Sequence, residues 1–349
     1  MCLFRNVIKN VQVPAIVYTV AAQMPKWAIK TRLLQLRLST LIFVVLCLIA
    51  IIQLFSVYGT YNYAHIPEDT IQVELYKEIS PDLTLKKAKH DCKYEDILTS
   101  KKSTHTWDLS KKYNVFSAQG IENGSYVPGD CNPLFSVAII VTYRNRQKQL
   151  DIFLPYMHNF LRRQRIHYKI YVVEQQDEKP WNKGMLYNIG AKRAISDKFP
   201  CLILHDVDLL PLDESNLYVC TQRPRHMSAS IDKFRYVLTY SFLVGGVLAI
   251  RSDQYIAVNG FSNKFTSWGG EDDDFAARLE AYHLEVVRFP RDMSRYTMLV
   301  HHQEKKNAER LRIMAENKLN REHDGMDSLY YTSIEVKPQR LFTLIGVKL

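Results

Sequence analysis

From Leu38 to Tyr58 the chain reads LSTLIFVVLCLIAIIQLFSVY, without a single charged side chain. About 20 apolar residues in a helix cross the hydrocarbon core of a bilayer, so the stretch is expected to be one membrane-spanning helix. A cleavable signal peptide has a shorter basic lead and a shorter apolar run. Arg5, Lys9, Lys26, Lys30, Arg32 and Arg37 all precede the first acidic residue, Glu68. Positive charge stays on the cytoplasmic side, which predicts a tail over 1–37, an anchor over 38–58 and a luminal remainder. The same six cations are more than half of the net charge of +10, so the remainder has no excess that would suit a phosphate backbone. The chain is therefore not expected to bind nucleic acid.

Residues 59–90 mix Tyr, His, Pro and charged side chains without sustained periodicity and end in Lys86-Lys87-Ala88-Lys89. They are expected to form a stem, with the catalytic domain over 91–349. Cys2 and Cys47 lie before or inside the anchor. Cys92, Cys131, Cys201 and Cys220 remain as an even set in an oxidising compartment, which allows two bridges in any of three connectivities. Asn123-Gly124-Ser125 is a sequon for glycosylation.

Three apolar, β-branched runs, Phe135 to Thr142, Tyr168 to Val173 and Cys201 to Leu204, alternate with helical patterns near Leu150 to Leu161 and Leu186 to Ile195. This predicts an α/β domain with a mostly parallel central sheet and flanking helices. Sheets of this kind bind ligands beyond the carboxyl ends of their strands. Tyr143-Arg144-Asn145-Arg146 and His205-Asp206-Val207-Asp208 both fall there. Two carboxylates at the end of a buried strand are costly without a cation, which makes Asp206-Val207-Asp208 a candidate metal turn. Met298 and His301 in YTMLVHH offer a thioether and an imidazole three residues apart. Oxygen, sulfur and nitrogen together suit manganese better than magnesium; spacing alone does not separate a ligating His301 from a surface histidine beside His302.

Trp268-Gly269-Gly270-Glu271-Asp272-Asp273-Asp274 is the densest acidic cluster and opens a helix whose apolar face is given by Phe275, Leu279 and Tyr282. The helix dipole stabilises acids there, and one of them, within reach of a hydroxyl, would serve as a general base. Gly245-Gly246 either brings backbone close to a ligand or packs a helix on a strand.

In order along the last part of the chain, YRNR, HDVD, RPRHMSASIDKF (Arg223 to Phe234), GGV (Gly245 to Val247), NGFSN (Asn259 to Asn263), WGGEDDD and HHQEKKN (His301 to Asn307) resemble the beta-1,4-galactosyltransferase family, and most closely its invertebrate beta-1,4-N-acetylgalactosaminyltransferases. The resemblance implies a GT-A-like nucleotide-sugar fold and an inverting, Mn2+-dependent transfer from a UDP-sugar to the 4-hydroxyl of a terminal GlcNAc, in the Golgi membrane. It implies Asp208, Met298 and His301 as metal ligands, and Asp272 as the base. Arg144, Arg146, Asp206, Val207, Lys233, Gly246, Trp268 and Glu271 would hold the donor. Tyr240, Asp273, Leu311 and Met314 would meet the acceptor. The bridges it implies are Cys92–Cys131 and Cys201–Cys220, and the segments around Trp268 and from about Leu299 to Glu316 would close over the donor. Two departures stand out: Thr266-Ser267 replace the first Trp of the common WGWGGEDDD, and the loop after Asn307 is about three residues shorter than in vertebrate members. Galactose-specific relatives carry a second Tyr three positions after the one matching Tyr240. Here that position is Leu243, which leaves space at carbon 2 of the sugar, so UDP-GalNAc is expected over UDP-Gal as donor. Two readings compete: a non-catalytic sugar-binding homologue, which predicts missing catalytic groups, and a metal-dependent phosphohydrolase, which needs no acceptor.

Overall fold

The computed structural model describes residues 26–57, 62–83, 90–99, 119–301 and 304–349. Cys2, Arg5, Lys9, the Lys86 to Lys89 run and His302 lie outside them. Helix α1 (Lys26–Val57) contains the uncharged stretch from Leu38 to Val57, Tyr58 lying outside the described residues, and Arg37–Leu54 within it is long and apolar enough to cross a membrane.

The remaining strands are β1 (Ile121–Glu122), β2 (Ser125–Tyr126), β3 (Ser136–Tyr143), β4 (His167–Gln175), β5 (Cys201–Asp206), β6 (Leu209–Pro211), β7 (Arg225–His226), β8 (Ser230–Ile231), β9 (Val247–Arg251), β10 (Arg295–Met298), β11 (Ser333–Pro338) and β12 (Thr343–Lys348). The longer helices among them are α2 (Gln147–Arg163), α3 (Lys183–Ser196), α4 (Glu271–Ala281) and α5 (Arg310–Asn320). The large sheet is mixed. Its centre, β12, β4, β3 and β5, is parallel, while β9 and β7 extend one side and β2 and β1 the other in antiparallel pairings. β11 pairs antiparallel with β12. A second sheet has the order β6-β10-β8.

Strand β3 is buried on both faces because its alternate side chains enter two cores. Val137, Ile139 and Val141 pack with Phe153, Met157 and Phe160 of α2. Ala138 and Ile140 pack with Met185, Leu186 and Ile189 of α3 and with Phe275 and Leu279 of α4. Tyr282 does not extend that apolar face. It caps the end of α4 and is 43% exposed, because the chain turns away there.

Part of the expected stem is not a free linker. Ile66, Ile71 and Leu75 are buried in the first core. The Ile66 amide donates to the Arg288 carbonyl, the Tyr76 amide to the Cys220 carbonyl and the Ser136 amide to the Glu78 carbonyl. These irregularly spaced apolar side chains follow the surface they cover rather than a helical or strand period. Both disulfides, Cys92–Cys131 and Cys201–Cys220, are formed as the resemblance implied. The second joins the start of β5 to the segment running beside it. Asn123 is exposed at the tip of the β1–β2 hairpin. There Asn123 and Gly124 both have positive φ, the requirement of a tight two-residue hairpin turn.

Candidate active site

The site lies past the ends of β3, β4 and β5, where the parallel strands open onto the start of α4. At the end of β5, Asp206 accepts from Lys183 Nζ at 2.7 Å and from the Tyr187 hydroxyl at 3.1 Å. Lys183 opens α3 behind the cap Asn182, whose side chain accepts from the Met185 amide. Its ammonium also lies 3.8 Å from Glu271 Oε1. One cation thus bridges the end of β5 and the start of α4. Burial works against the Lys183 charge, but Asp206, Tyr187, Glu271 and Asp272 outweigh it and raise its pKa. Lys183, Tyr187, Val244, Gly245, Gly246, Phe261, Glu271 and Asp272 line a single pocket.

Gly269 and Gly270, both at φ near +100°, turn the chain into α4. The four acids there differ in their surroundings. Asp274 is buried against Arg278 Nε at 2.8 Å and so serves the fold. Asp273 accepts from the Tyr240 hydroxyl at 2.9 Å. Glu271 is 7% exposed, and its Oε2 is buried without a hydrogen-bond partner. Burial first, then the charge of Asp272, pushes its pKa up to about 7. Burial also raises Asp272, countered by Lys183. An acid chain held this dry beside a pocket is suited to a ligand that supplies the missing donor.

The metal candidates meet through the small sheet. β10 runs antiparallel to β6 with Met298 opposite Leu209, and the Leu299 amide donates to the Asp208 carbonyl at 2.7 Å. His301 Nδ1 comes to 2.8 Å from Asp208 Oδ2, a contact that raises the imidazole pKa. Among the described residues no three His, Cys, Asp or Glu side chains gather at one point; the third expected donor is the thioether of Met298. A carboxylate and an imidazole that already face each other, beside a thioether-bearing residue, fit a borderline-soft divalent ion.

Other expected residues are spread around this centre. Val207 is buried beneath the Asp206–Asp208 turn. Arg144 donates to the Lys179 carbonyl, stacks on Trp181 at 5.3 Å and lies 3.7 Å from Glu304. Arg146 is near enough to His301 to oppose its protonation. Lys233 does not reach the pocket: it is exposed, on a turn whose Asp232 accepts from the Met298 amide at 3.0 Å. The Trp268 amide donates to the Lys305 carbonyl and its carbonyl accepts from the Asn307 amide, so the two segments expected to close are joined by backbone. Arg310, at the head of α5, abuts Gly269 and Gly270. On that helix Leu311 is 71% exposed and Met314 is half-buried.

Leu243 immediately precedes the lining residues Val244 to Gly246. Its carbonyl, with that of Ser241, accepts from Arg288 Nη2 at 2.8 Å. His226 Nε2 lies 3.0 Å from the Gly245 carbonyl. No pattern in the sequence assigns a role to Arg288, His226, Lys183 or Tyr187. Lys183 left one signal: a cation in the first turn of a helix opposes the dipole, and so implies an acid nearby in space.

A mixed sheet with an Asp-Val-Asp turn at its carboxyl edge, facing a helix that opens on buried acids, defines a GT-A-like glycosyltransferase fold. The model of the N-terminal region of glycosyl transferase group 7 matches residues 91–221, and the model described as the N-terminal domain of galactosyltransferase matches 225–302. The chain belongs to the beta-1,4-galactosyltransferase family. It is 39% identical to beta-1,4-galactosyltransferase 2 of Cricetulus griseus over 229 residues, 64% of this chain and 62% of that protein. It is 40% identical to beta-1,4-galactosyltransferase 3 of Homo sapiens over 227 residues, 64% of this chain and 58% of that protein. The chain therefore spans about three fifths of the length of these relatives. Among solved structures, the catalytic domain of Drosophila beta-1,4-galactosyltransferase 7 in complex with xylobiose superposes with a TM-score of 0.53 at 28% identity, covering 62% of this chain and 94% of that one. A mutant of the same enzyme, in complex with manganese, UDP-Gal and xylobiose, gives 0.52 at 27% identity.

Proposed function

We propose that the chain is a type II Golgi membrane protein that transfers N-acetylgalactosamine from UDP-GalNAc, with inversion, to the 4-hydroxyl of a terminal GlcNAc on a glycoprotein or glycolipid glycan. The observation that carries the transferase reading is the meeting of Glu271, Asp272 and Lys183 around one pocket, with Lys183 also paired to Asp206 of the Asp-Val-Asp turn. Asp208, Met298 and His301 would hold Mn2+, which supplies Lewis acidity toward the departing diphosphate. Arg144 and Arg146 would bind UDP. Lys233, exposed beside the Asp232 turn, would approach the diphosphate from solvent. Asp206 and Val207 shape the turn beneath the donor. Glu271, with its unpartnered oxygen, would accept a hydroxyl of the donor sugar, while Trp268 and Gly246 border it. Asp272 would take the proton of the acceptor hydroxyl as it attacks. Asp273, fixed by Tyr240, together with Leu311 and Met314, would orient the acceptor.

The donor assignment rests on Leu243 beside the pocket-lining Val244. The names of the relatives favour UDP-Gal instead, and an assay decides. Full-length protein in detergent, with Mn2+ and a GlcNAc-terminated acceptor, is given each donor in parallel. Faster transfer from UDP-GalNAc supports the proposal; a tenfold preference for UDP-Gal sinks the donor assignment alone. Donor consumption that is independent of acceptor sinks the transferase reading.

A further inference from the structure

Behind the candidate metal site runs a buried line of hydrogen bonds that the chemistry above does not use. Arg225 Nη1 donates to Asn216 Oδ1 at 2.9 Å, and Asn216 Nδ2 reaches the Tyr296 hydroxyl at 3.3 Å. The Tyr296 and Tyr218 hydroxyls are 2.9 Å apart. The Tyr218 hydroxyl lies 2.8 Å from His205 Nε2, and His205 Nδ1 lies 2.9 Å from the Asp206 carbonyl. All five side chains are 0% exposed.

Their directions can be assigned. A carbonyl only accepts, so His205 Nδ1 carries the hydrogen, and the neutral ring that burial favours accepts at Nε2. Tyr218 then donates to His205, Tyr296 to Tyr218 and Asn216 to Tyr296. Every bond points from the Arg225 guanidinium toward the Asp206 carbonyl, and aligned bonds of this kind reinforce one another.

The line also joins the two strands that deliver the metal ligands. His205 is on β5, which leads into Asp208; Tyr296 is on β10, two residues before Met298. Tyr218 stands between them. Its own segment is tied to the start of β5 by Cys201–Cys220, so β5 is gripped at both ends by residues 218–220.

We infer that Tyr218 is a positioning residue for the metal: through His205 it holds the Asp206–Asp208 turn, and through Tyr296 it holds β10, so that Asp208 faces the Met298–His301 segment at ligand spacing. The inference rests on the metal reading proposed above. Groups that orient metal ligands without touching the ion commonly change affinity by about 10- to 100-fold when removed.

The test is Mn2+ binding to the full chain in detergent with UDP present, followed by the electron paramagnetic resonance of free Mn2+, alongside the metal-free melting temperature. Wild type is compared with Tyr218→Phe, Tyr296→Phe and Tyr168→Phe. Tyr168 is the matched control, a buried tyrosine whose hydroxyl also meets a histidine, His158, at 2.8 Å, but at the amino end of β4. Tyr218→Phe is expected to weaken Mn2+ about tenfold or more, Tyr296→Phe in the same direction, and Tyr168→Phe less than about twofold despite a comparable loss in melting temperature. A Tyr218→Phe protein that binds Mn2+ within twofold of wild type overturns the inference, as does a Tyr168→Phe protein weakened as much. If Tyr218→Phe does not fold, Tyr296→Phe decides by the same criteria. Failure of wild type to bind Mn2+ overturns the metal reading itself, and the inference with it.

Discussion

The carboxylate of Asp272 rests against Gly245 so closely that a β-carbon on Gly245 would come within 2.1 Å of Asp272 Oδ2. The atom in the way is the end of a flexible side chain, so Gly245→Ala should spare the fold and move the carboxylate. If Asp272 is the base, its displacement should cost most of the catalysis a positioned base supplies, commonly 10²- to 10⁴-fold. Gly245→Ala and Asp272→Asn are both expected to lower single-turnover rates by about 10² or more while leaving UDP binding within a few-fold. Retention of more than about a tenth of the wild-type rate in Asp272→Asn would refute the base assignment.

Glu271 supplies a pH signature. Its pKa is raised from 4.5 to about 7 in the folded protein, so between these values the folded state holds a proton that the unfolded state releases. Stability from this group therefore falls as pH rises through the window, and the loss is complete above about 7. Metal-free Glu271→Gln protein should show a flatter dependence of melting temperature on pH between roughly 4.5 and 7, and the larger gain over wild type at the upper end. Parallel profiles for the two proteins would show that Glu271 ionises freely.

Arg288 holds the carbonyls of Ser241 and Leu243, so a new side chain at position 243 should change the pocket wall without releasing the backbone. Leu243→Tyr is expected to raise the ratio of galactose to N-acetylgalactosamine transfer by about 10- to 200-fold, the range of single-pocket differences. Mn2+ dependence should not move. An unchanged donor ratio would place donor selection elsewhere.

For the metal site, His301→Ala removes the imidazole that faces Asp208 at 2.8 Å. The Mn2+ concentration for half-maximal rate should rise at least tenfold, with the rate at saturating metal much less affected. Equal metal dependence in the two proteins would exclude His301 as a ligand.

The anchor is tested by protease protection of sealed microsomes. The C-terminal domain should survive protease until detergent is added, as the basic flank of Leu38 to Tyr58 requires. Digestion without detergent would reverse the topology.

The central strands were legible because double-sided burial leaves an unbroken apolar run, as in Val137 to Val141 of β3. The Asp206–Asp208 turn and the acids of α4 were legible because charge beside such runs is costly. Lys183 was not: a lone lysine in a helical pattern acquires meaning only when folding sets it between Asp206 and Glu271. Nor were Arg288 and His226, which act on backbone carbonyls that no side-chain pattern reveals. Strand β11 (SIEVKP) does alternate, but with only Ile334 and Val336 as its apolar positions the pattern is too short to announce a strand; its side chains stay exposed along its length, and it exists by pairing with β12.

The packing of Ile66, Ile71 and Leu75 against the first core decides where a secretable version of this protein can begin. A fragment trimmed to Cys92 would strip three buried apolar side chains, each worth about 1.5–3 kcal/mol, and leave the strip beneath them open to water and to other copies. It would also remove the chain that pairs with the Cys220 carbonyl, loosening the disulfide loop that flanks β5. A start close after the membrane helix keeps this strip covered, so poor solubility of a shorter fragment would report a misplaced cut rather than an unstable enzyme.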